Sequence, residues 1–286
     1  MTWREAIREA SARMREQGID DHATNAKYLA AHVLGVWSLA DVGARSDSEI
    51  SAAHKQAYDA LLDRRIANEP LQYILGETEF YGLRLNCTPA ALIPRPETEI
   101  LVETAIEHGR RLLGSRDHLY VLDIGTGTGA IALSVGYHLP AARIVGIDAS
   151  AEAIELASEN KARLADARTR FVQMDVMSDE VVALGHFDLI LSNPPYVSTD
   201  EYELLPADVR GHEPRMALTD ESDGLIFYRR ISELSSRMLR PDGAVIVELS
   251  YDGVARVSSI FEERGFRSIS SVKDLAGIDR ILVARL

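Results

Sequence analysis

Four consecutive residues have the chemistry needed to hold a flat amino group: Asn193, Pro194, Pro195 and Tyr196. They follow the apolar run 187–192, and because proline cannot continue a sheet, a strand formed by that run must end here. The carbonyl of Pro194 and the side-chain oxygen of Asn193 can then both accept hydrogen bonds from a planar NH2 group. Two such acceptors favour positive charge on the nitrogen during a transfer reaction, while the prolines fix its orientation. Tyr196 can stack on the planar acceptor and stabilise a nearby cation.

An ordinary structural role is also open to this segment. Asn-Pro pairs commonly start turns, and a type I turn with a buried tyrosine would use the same residues. However, the segment follows the fourth strand of a predicted α/β sheet, and the same chain carries a glycine-rich turn of the type that binds cofactors. That combination favours an acceptor site over a simple turn.

The glycine-rich turn follows the apolar run 119–124 and precedes a predicted helix. It consists of Gly125, Thr126, Gly127, Thr128 and Gly129. Glycines let the backbone turn tightly and approach a ligand, and ligands of open α/β sheets lie at the carboxyl ends of the strands. The turn therefore predicts a cofactor site. Because Ala130 completes the dinucleotide pattern G-x-G-x-x-G/A, the spacing alone also fits a dinucleotide.

Three carboxylates at predicted strand ends narrow the choice of cofactor. Asp123 lies beside the glycine turn, where it suits a ligand amino group, directly or through water, and would repel a pyrophosphate. Asp148 can accept from ribose hydroxyls, or it can simply cap the next helix. Asp175 can accept from the adenine amino group, with the Val176 backbone at the ring edge, unless it is an ordinary loop acid. This set favours S-adenosylmethionine.

The elements that would position these residues alternate between strand and helix from Leu119 onward. Predicted strands span 119–124, 143–147, 169–174, 187–192, 243–249, 267–272 and 280–285. Predicted helices span 129–138, 151–164, 224–239 and 253–264. The alternation predicts an α/β fold with a doubly wound, mostly parallel, seven-stranded sheet and helices on both faces. A short loop through Gly277 predicts that the last two strands form an antiparallel hairpin at one edge.

The chain before this sheet predicts two further parts. Residues 1–75 are rich in alanine and carry apolar residues at helical spacing, which indicates a small helical domain. Residues 76–96 predict a hairpin or extended connector, stiffened by two prolines near its end. We therefore expect the cofactor domain to span 97–286. Thr98 or a neighbour is expected to open a helix that runs from Ile100 to about His108.

The composition excludes several classes of protein. Of the 286 residues, 46% are hydrophobic, which supplies a buried core and argues against disorder. No apolar run approaches the ~20 residues of a membrane-spanning helix, and the first residues lack the apolar stretch of a secretory signal. A formal net charge of -13 lacks the basic surplus that binds a phosphate backbone. We expect no membrane association and no direct sequence-specific binding of nucleic acid.

Cysteine and histidine usage adds two expectations. Cys87 is the single cysteine, so no internal disulfide can form and a reducing compartment fits best. The eight histidines show no paired spacing of metal ligands, so we predict no metal site. We expect a monomeric, cytoplasmic protein.

Further motifs accompany the Asn-Pro-Pro-Tyr segment. Residues 69–76 read Glu-Pro-Leu-Gln-Tyr-Ile-Leu-Gly, residues 92–99 read Leu-Ile-Pro-Arg-Pro-Glu-Thr-Glu, and Glu213 precedes Pro214. With segment 123–132, they resemble the HemK/PrmC family, the glutamine methyltransferases that modify peptide chain release factors. The resemblance covers nearly the whole chain.

This resemblance implies a cofactor, a substrate and a partner. The cofactor is S-adenosylmethionine, bound by the glycine turn and Asp148. The substrate is the glutamine of a Gly-Gly-Gln loop in release factors, whose amide the Asn-Pro-Pro-Tyr segment holds. The helical N-terminal domain helps dock that protein, and Arg95 and its neighbours wall the site. The expected cofactor-binding residues are Arg95, Asp123, Gly125, Thr126, Gly127, Thr128, Gly129, Asp148, Asp175, Val176 and Asn193.

The sequence departs from the family pattern in places, and other functions stay open. Family members often carry an aromatic residue where this chain has Val176, and the segment from Glu248 reads Glu-Leu-Ser where the family often has Glu-x-Gly. A methyltransferase acting on exocyclic amines of DNA or RNA would share the acceptor logic, but it would need a basic groove. A nicotinamide-dependent oxidoreductase would leave Asn-Pro-Pro-Tyr unexplained. The intact glycine turn and acceptor segment argue against a non-catalytic binding module.

Overall fold

The computed structural model describes residues 1–206 and 208–286 and divides the chain into two compact units. The first unit comprises Met1–Gly76 and Pro206–His212, and the second comprises Glu77–Leu205 and Glu213–Leu286. The helices are α1 (Trp3–Glu16), α2 (His22–Val33), α3 (Leu39–Ala44), α4 (Ala52–Ile66), α5 (Leu71–Leu75), α6 (Thr98–Leu113), α7 (Ala130–His138), α8 (Ala151–Arg163), α9 (Thr199–Tyr202), α10 (Ala207–His212), α11 (Arg215–Leu218), α12 (Ile226–Met238) and α13 (Val254–Glu263), with a 3-10 helix over Asp179–Leu184. The strands are β1 (Glu77–Phe80), β2 (Leu83–Asn86), β3 (Leu119–Ile124), β4 (Ala142–Asp148), β5 (Thr169–Gln173), β6 (Phe187–Ser192), β7 (Leu239–Glu248), β8 (Ser268–Lys273) and β9 (Asp279–Arg285).

The first unit is helical, as predicted for the N-terminal part of the chain. Helix α1 starts at a capping box, in which Thr2 and Glu5 each accept a hydrogen bond from the other's backbone N–H. Apolar residues at helical spacing then meet in one core. Its largest fully buried side chains are Trp3, Met14, Leu29, Tyr58 and Leu62.

The second unit contains the predicted doubly wound sheet. Its seven strands lie in the order β5-β4-β3-β6-β7-β9-β8. The strands from β5 to β7 are parallel, and β9 is antiparallel to both of its neighbours, so the predicted antiparallel hairpin at the edge is confirmed. The chain runs outward from β3 to β5 and then returns to place β6 beside β3. This reversal leaves a crevice at the carboxyl ends of β3 and β6, where ligands of such sheets bind.

The two faces of the sheet are covered by different helices. Leu119 and Val121 of β3 face α6 and α7, whereas Leu122 and Ile124 face the core that contains α12 and α13. Successive side chains of a strand point to opposite faces, so Asp123 points toward the side of α7. The central strands β3 and β6 are buried on both faces, as expected of parallel strands inside a sheet.

Helix α6 is longer than predicted, and the predicted hairpin is present. Helix α6 runs from Thr98 to Leu113, well beyond the predicted end near His108, because Gly109, Leu112 and Leu113 continue its apolar stripe against the core. The predicted hairpin is present as β1 and β2, closed by Tyr81 and Gly82 at φ +47° and +75°. Two consecutive positive φ values are typical of a tight hairpin turn. Within the described residues, no helix has the length and apolarity of a membrane span.

Candidate active site

The glycine turn lies at the end of β3 and is fastened to the end of β4. The N–H groups of Gly125 and Thr126 both donate to the Ile147 carbonyl at 2.9 Å. Gly125, Gly127 and Gly129 have φ values of +71°, +53° and +81°, which residues other than glycine rarely adopt. A Cβ at Gly129 would lie 2.9 Å from the Phe171 ring, whereas a Cβ at Gly125 would meet nothing within 4 Å. Packing therefore requires glycine at 129, and the backbone at 125 borders open space.

Asp148 secures the far side of this turn. Its Oδ2 accepts from the Gly127 N–H at 2.9 Å and its Oδ1 accepts from the Ser150 N–H at 3.0 Å. Burial raises its pKa, although these hydrogen bonds favour the charged form. The cap of α8 is supplied by Ser150, whose hydroxyl accepts from the Ala153 N–H. Since a carboxylate offers about four acceptor positions, Asp148 keeps capacity for a ligand hydroxyl.

Asp123 is fully buried and lies behind the turn. Its Oδ2 accepts from the Thr126 hydroxyl at 2.6 Å. Its Oδ1 makes no hydrogen bond of standard geometry with the described residues, although the Ala132 N–H lies near enough to favour the charged form. Burial raises the pKa of Asp123 to about 7. Asp123 does not line the cavity beside the turn, so in this structure it supports Thr126, and contact with a ligand would need an intervening water.

Asp175 and Val176 follow β5 at the same end of the sheet. The Asp175 carboxylate accepts from the Met177 N–H at 2.8 Å, and the Val176 side chain is buried. The Val176 carbonyl accepts from Arg230 Nε at 2.9 Å, and the same guanidinium pairs with Asp179. Arg230 thus holds this loop in place. This role of Arg230 was not predictable from the sequence, because an arginine inside an amphipathic helix carries no local signal for such a contact.

The Asn-Pro-Pro-Tyr segment begins directly after β6, as the prolines require. Asn193 Nδ2 donates to Thr98 Oγ1 at 3.2 Å. Neither Asn193 Oδ1 nor the Pro194 carbonyl accepts a hydrogen bond from the described residues. Asn193, Pro194 and Pro195 all line the cavity. Both predicted acceptor oxygens therefore belong to residues at the edge of the same cavity.

Tyr196 takes a different place from the one predicted. It does not line the cavity; its ring packs against the core that contains α12. Its hydroxyl donates to Glu248 Oε1 at 3.4 Å, and burial raises the pKa of the phenol. Stacking of Tyr196 on an acceptor has no support in this geometry. The hydrogen bond to Glu248 at the end of β7 instead gives the ring a supporting role.

Arg95 also does not line the cavity, although its neighbours Pro94 and Thr98 do. Its guanidinium donates to Glu213 Oε1 at 2.5 Å, and Glu213 Oε2 accepts from the Ile93 N–H at 3.2 Å. Glu213 is 6% exposed, so this pair fastens the Pro-Arg-Pro segment from within. Arg95 therefore affects the wall of the cavity only by holding the segment that contains Pro94.

One cavity of about 640 Å³ joins the remaining predicted residues. It brings together Gly125, Thr126, Gly127, Thr128, Asp148, Asp175, Val176, Asn193, Pro194 and Pro195. Four carboxylates and one arginine are the charged residues that line it. The arginine, Arg215, is already paired with Glu221 at 2.5 Å. The cavity therefore favours a cationic ligand and disfavours a polyphosphate.

The fold resembles that of known methyltransferases. The solved structure of a methyltransferase from Pyrococcus furiosus matches 81% of this chain and 98% of its own, with a TM-score of 0.54 at 20% identity, which shows the shared fold. The family described as methyltransferase small domain matches residues 98–207. The sheet order, the glycine turn at the reversal point and these matches define a Rossmann-like methyltransferase.

Full-length relatives narrow the class further. A release factor glutamine methyltransferase of Bordetella pertussis is 42% identical over 259 residues, which cover 90% of this chain and 92% of the relative. One of Burkholderia pseudomallei is 40% identical over 268 residues and 92% of both chains. The family described as PrmC N-terminal domain matches residues 5–76. This chain belongs to the release factor glutamine methyltransferase family.

Proposed function

We propose that the protein transfers the methyl group of S-adenosylmethionine to the side-chain amide nitrogen of the glutamine in the Gly-Gly-Gln loop of peptide chain release factors. The observation that carries this proposal is the acceptor corner of the cavity. There, Asn193 Oδ1 and the Pro194 carbonyl have no partner among the described residues, while the amide nitrogen of Asn193 is held by Thr98. An NH2 group that enters this corner meets two acceptors, as family membership leads one to expect.

The residues of the cavity fit S-adenosylmethionine in size and charge. A volume of about 640 Å³ lies within the range of small-molecule sites and leaves room for a side-chain acceptor. The open space at Gly125 lets a ligand approach the backbone closely. Asp148 is the residue we assign to the ribose hydroxyls, and Asp175 with the Val176 segment to the adenine. The excess of carboxylates suits a ligand that carries an ammonium and a sulfonium.

The chain's own residues supply orientation rather than a strong base. S-adenosylmethionine, when bound, supplies an electrophilic methyl group. An amide nitrogen is a poor nucleophile, since its lone pair is delocalised into the carbonyl. Asn193 Oδ1 and the Pro194 carbonyl would accept hydrogen bonds from its two N–H groups and stabilise the positive charge that develops on nitrogen. The prolines hold these oxygens in place, so aligning the acceptor nitrogen with the methyl group costs little entropy at the moment of reaction.

A nucleic-acid amine is the second candidate acceptor, and the cavity argues against it. The lining carries four carboxylates, and its one arginine is paired. A phosphate backbone near this mouth would meet negative charge instead of the cations that usually neutralise it.

We further propose that the helical first unit helps dock the release factor.

A methyl-transfer assay with matched substrates tests the proposal. The purified protein would be incubated with S-adenosylmethionine and a release factor, a release factor whose Gly-Gly-Gln glutamine is replaced by glutamate, or a mixture of DNA and RNA. Mass spectrometry of the products then locates any methyl group. We expect one methyl on the glutamine of the unaltered release factor and none elsewhere. Transfer to a nucleobase, or equal transfer to the glutamate-substituted factor, would overturn the proposal.

A further inference from the structure

A buried carboxylate outside the predicted site is connected to Asn193 through one hydroxyl. Glu248 ends β7 and is 2% exposed. Its Oε2 accepts from Thr98 Oγ1 at 2.7 Å, and its Oε1 accepts from the Tyr196 hydroxyl at 3.4 Å. Thr98, the first residue of α6, also receives the hydrogen bond from Asn193 Nδ2. Three elements distant in sequence thus meet behind the acceptor corner.

The polarity of this chain of hydrogen bonds follows from the chemistry of its members. Thr98 Oγ1 donates to Glu248 Oε2 at 2.7 Å. Above the raised pKa of Glu248 the carboxylate can only accept hydrogen bonds, so there the single hydrogen of the Thr98 hydroxyl must point to it. The lone pairs of Thr98 are then the atoms available to Asn193, and they require a donor. Asn193 must therefore turn its NH2 toward Thr98 and its oxygen away from it. The donor requirement of Thr98 thus fixes which end of the Asn193 amide faces it, although the oxygen and the NH2 have similar shapes.

We propose that Thr98 and Glu248 are positioning residues that hold the Asn193 amide with its oxygen toward the incoming acceptor nitrogen. The proposal rests on the proposed function, since the orientation matters only if an NH2 group enters the corner. A rotated Asn193 would present two N–H donors to a group that itself only donates, and the clamp would become repulsive. The backbone of Pro194 holds its carbonyl in place. The side-chain amide of Asn193, in contrast, can rotate unless a hydrogen-bond partner fixes its orientation.

Substitutions on α6 separate this role from packing. Thr98→Val keeps the shape and removes the hydroxyl, and Thr98→Ser restores a hydroxyl with less packing. Thr104→Val is the matched control, because Thr104 is a 6% exposed threonine on the same helix whose hydroxyl donates to the Ile100 carbonyl at 2.7 Å. Each protein would be tested for kcat and KM with a release factor, for the Kd of S-adenosylmethionine and for Tm.

We expect Thr98→Val to lower kcat about 10-fold to 100-fold, less than the loss of a complete transition-state contact. The Kd of S-adenosylmethionine should change by less than about threefold, because the substitution alters only the orientation of the Asn193 amide. Thr98→Ser should recover most of the activity. Thr104→Val should show a similar change in Tm with wild-type kcat. A Thr98→Val protein that turns over like the wild type, or a kcat loss shared by Thr104→Val, would overturn the inference.

A second pair of variants tests whether the two residues act together. Glu248→Leu frees the Thr98 hydroxyl to donate to Asn193 Oδ1 and should lower kcat about as much as Thr98→Val. The double variant should lose no more than the larger single loss, because residues in one hydrogen-bond network are not additive. Multiplicative losses would overturn the shared role. If the wild-type protein itself methylates no glutamine, the proposed function fails as well, whereas an active wild type with an equally active Thr98→Val removes only this inference.

Discussion

The two sides of the cavity are built by different means. On the cofactor side, Thr126 bonds Asp123 three residues away, and Gly127 bonds Asp148 at a separation of 21 residues. On the acceptor side, Asn193 reaches Thr98 across 95 residues, and Thr98 reaches Glu248 across 150. Backbone conformation shapes the first side, and side chains from three distant elements shape the second.

This difference predicts different responses to substitution. Changes on the cofactor side should act on the affinity for S-adenosylmethionine, because the turn and Asp148 border the space assigned to it. Changes on the acceptor side should act on turnover, because Asn193 and its supports are assigned to the acceptor nitrogen. Variants on the two sides that affect affinity and turnover alike would break this division.

The largest effect is expected for Asn193→Ala on the acceptor side. The change removes one of the two oxygen acceptors, and losing a comparable transition-state contact typically costs about 100-fold to 1000-fold in kcat. The affinity for S-adenosylmethionine should change little, since the glycine turn and Asp148 are untouched. Steady-state kinetics and calorimetric titration would measure the two quantities. Equal turnover by this variant would remove the side-chain oxygen of Asn193 from the mechanism.

Asp148→Asn on the cofactor side should produce the reverse pattern. Each carboxylate oxygen of Asp148 accepts one backbone N–H, and an amide can replace only one of them. The unpaired N–H and the lost ribose acceptor should together weaken S-adenosylmethionine binding about 10-fold to 100-fold. At saturating cofactor, kcat should stay within about threefold of the wild type. A variant with unchanged affinity and reduced kcat would contradict the assignment of Asp148.

The contrast between the two sides also explains what the sequence revealed. The glycine turn, Asp148 and the end of β6 were predictable, because strand ends and glycine spacing are local patterns. Thr98 was expected only to open a helix, and Glu248 was noted only as a departure from the family pattern. Their connection depends on the ends of α6 and β7 meeting behind β6, which no local pattern specifies. The contact of Tyr196 with Glu248 at the end of β7 was not predictable for the same reason.

Gly125→Ala should have a smaller effect that is confined to the cofactor side. Alanine at φ +71° is strained by about 1 kcal/mol, and its Cβ would enter the open space beside the turn. We expect binding of S-adenosylmethionine to weaken about tenfold. Gly18→Ala is the matched control, because Gly18 has φ +74° and nothing within 4 Å of its Cβ position, in the helical first unit. Both variants should lose a similar amount of Tm, and only Gly125→Ala should lose affinity.

The smallest effect is expected in the pH dependence of stability. Each side of the cavity has a buried carboxylate, Asp123 on the cofactor side and Glu248 on the acceptor side. Burial raises the pKa of both Asp123 and Glu248 to about 7. Each group gives up its proton in the unfolded chain near its ordinary pKa but keeps it in the folded protein until about pH 7. Stability therefore falls as pH rises through this window. We expect Asp123→Asn and Glu248→Gln each to flatten the decline in Tm between about pH 4.5 and 7.

The exposed Glu221 provides the control for that measurement. Its hydrogen bond and ion pair with Arg215 lower its pKa, so its titration contributes stability that appears as pH rises and is lost on acidification. Glu221→Gln should therefore leave the decline toward pH 7 in place, because its charge changes only below that window. Equal flattening by Glu221→Gln would show that surface charge, rather than desolvation of Asp123 and Glu248, causes the decline. If only one buried variant flattens the curve, the desolvation cost lies on that side of the cavity alone.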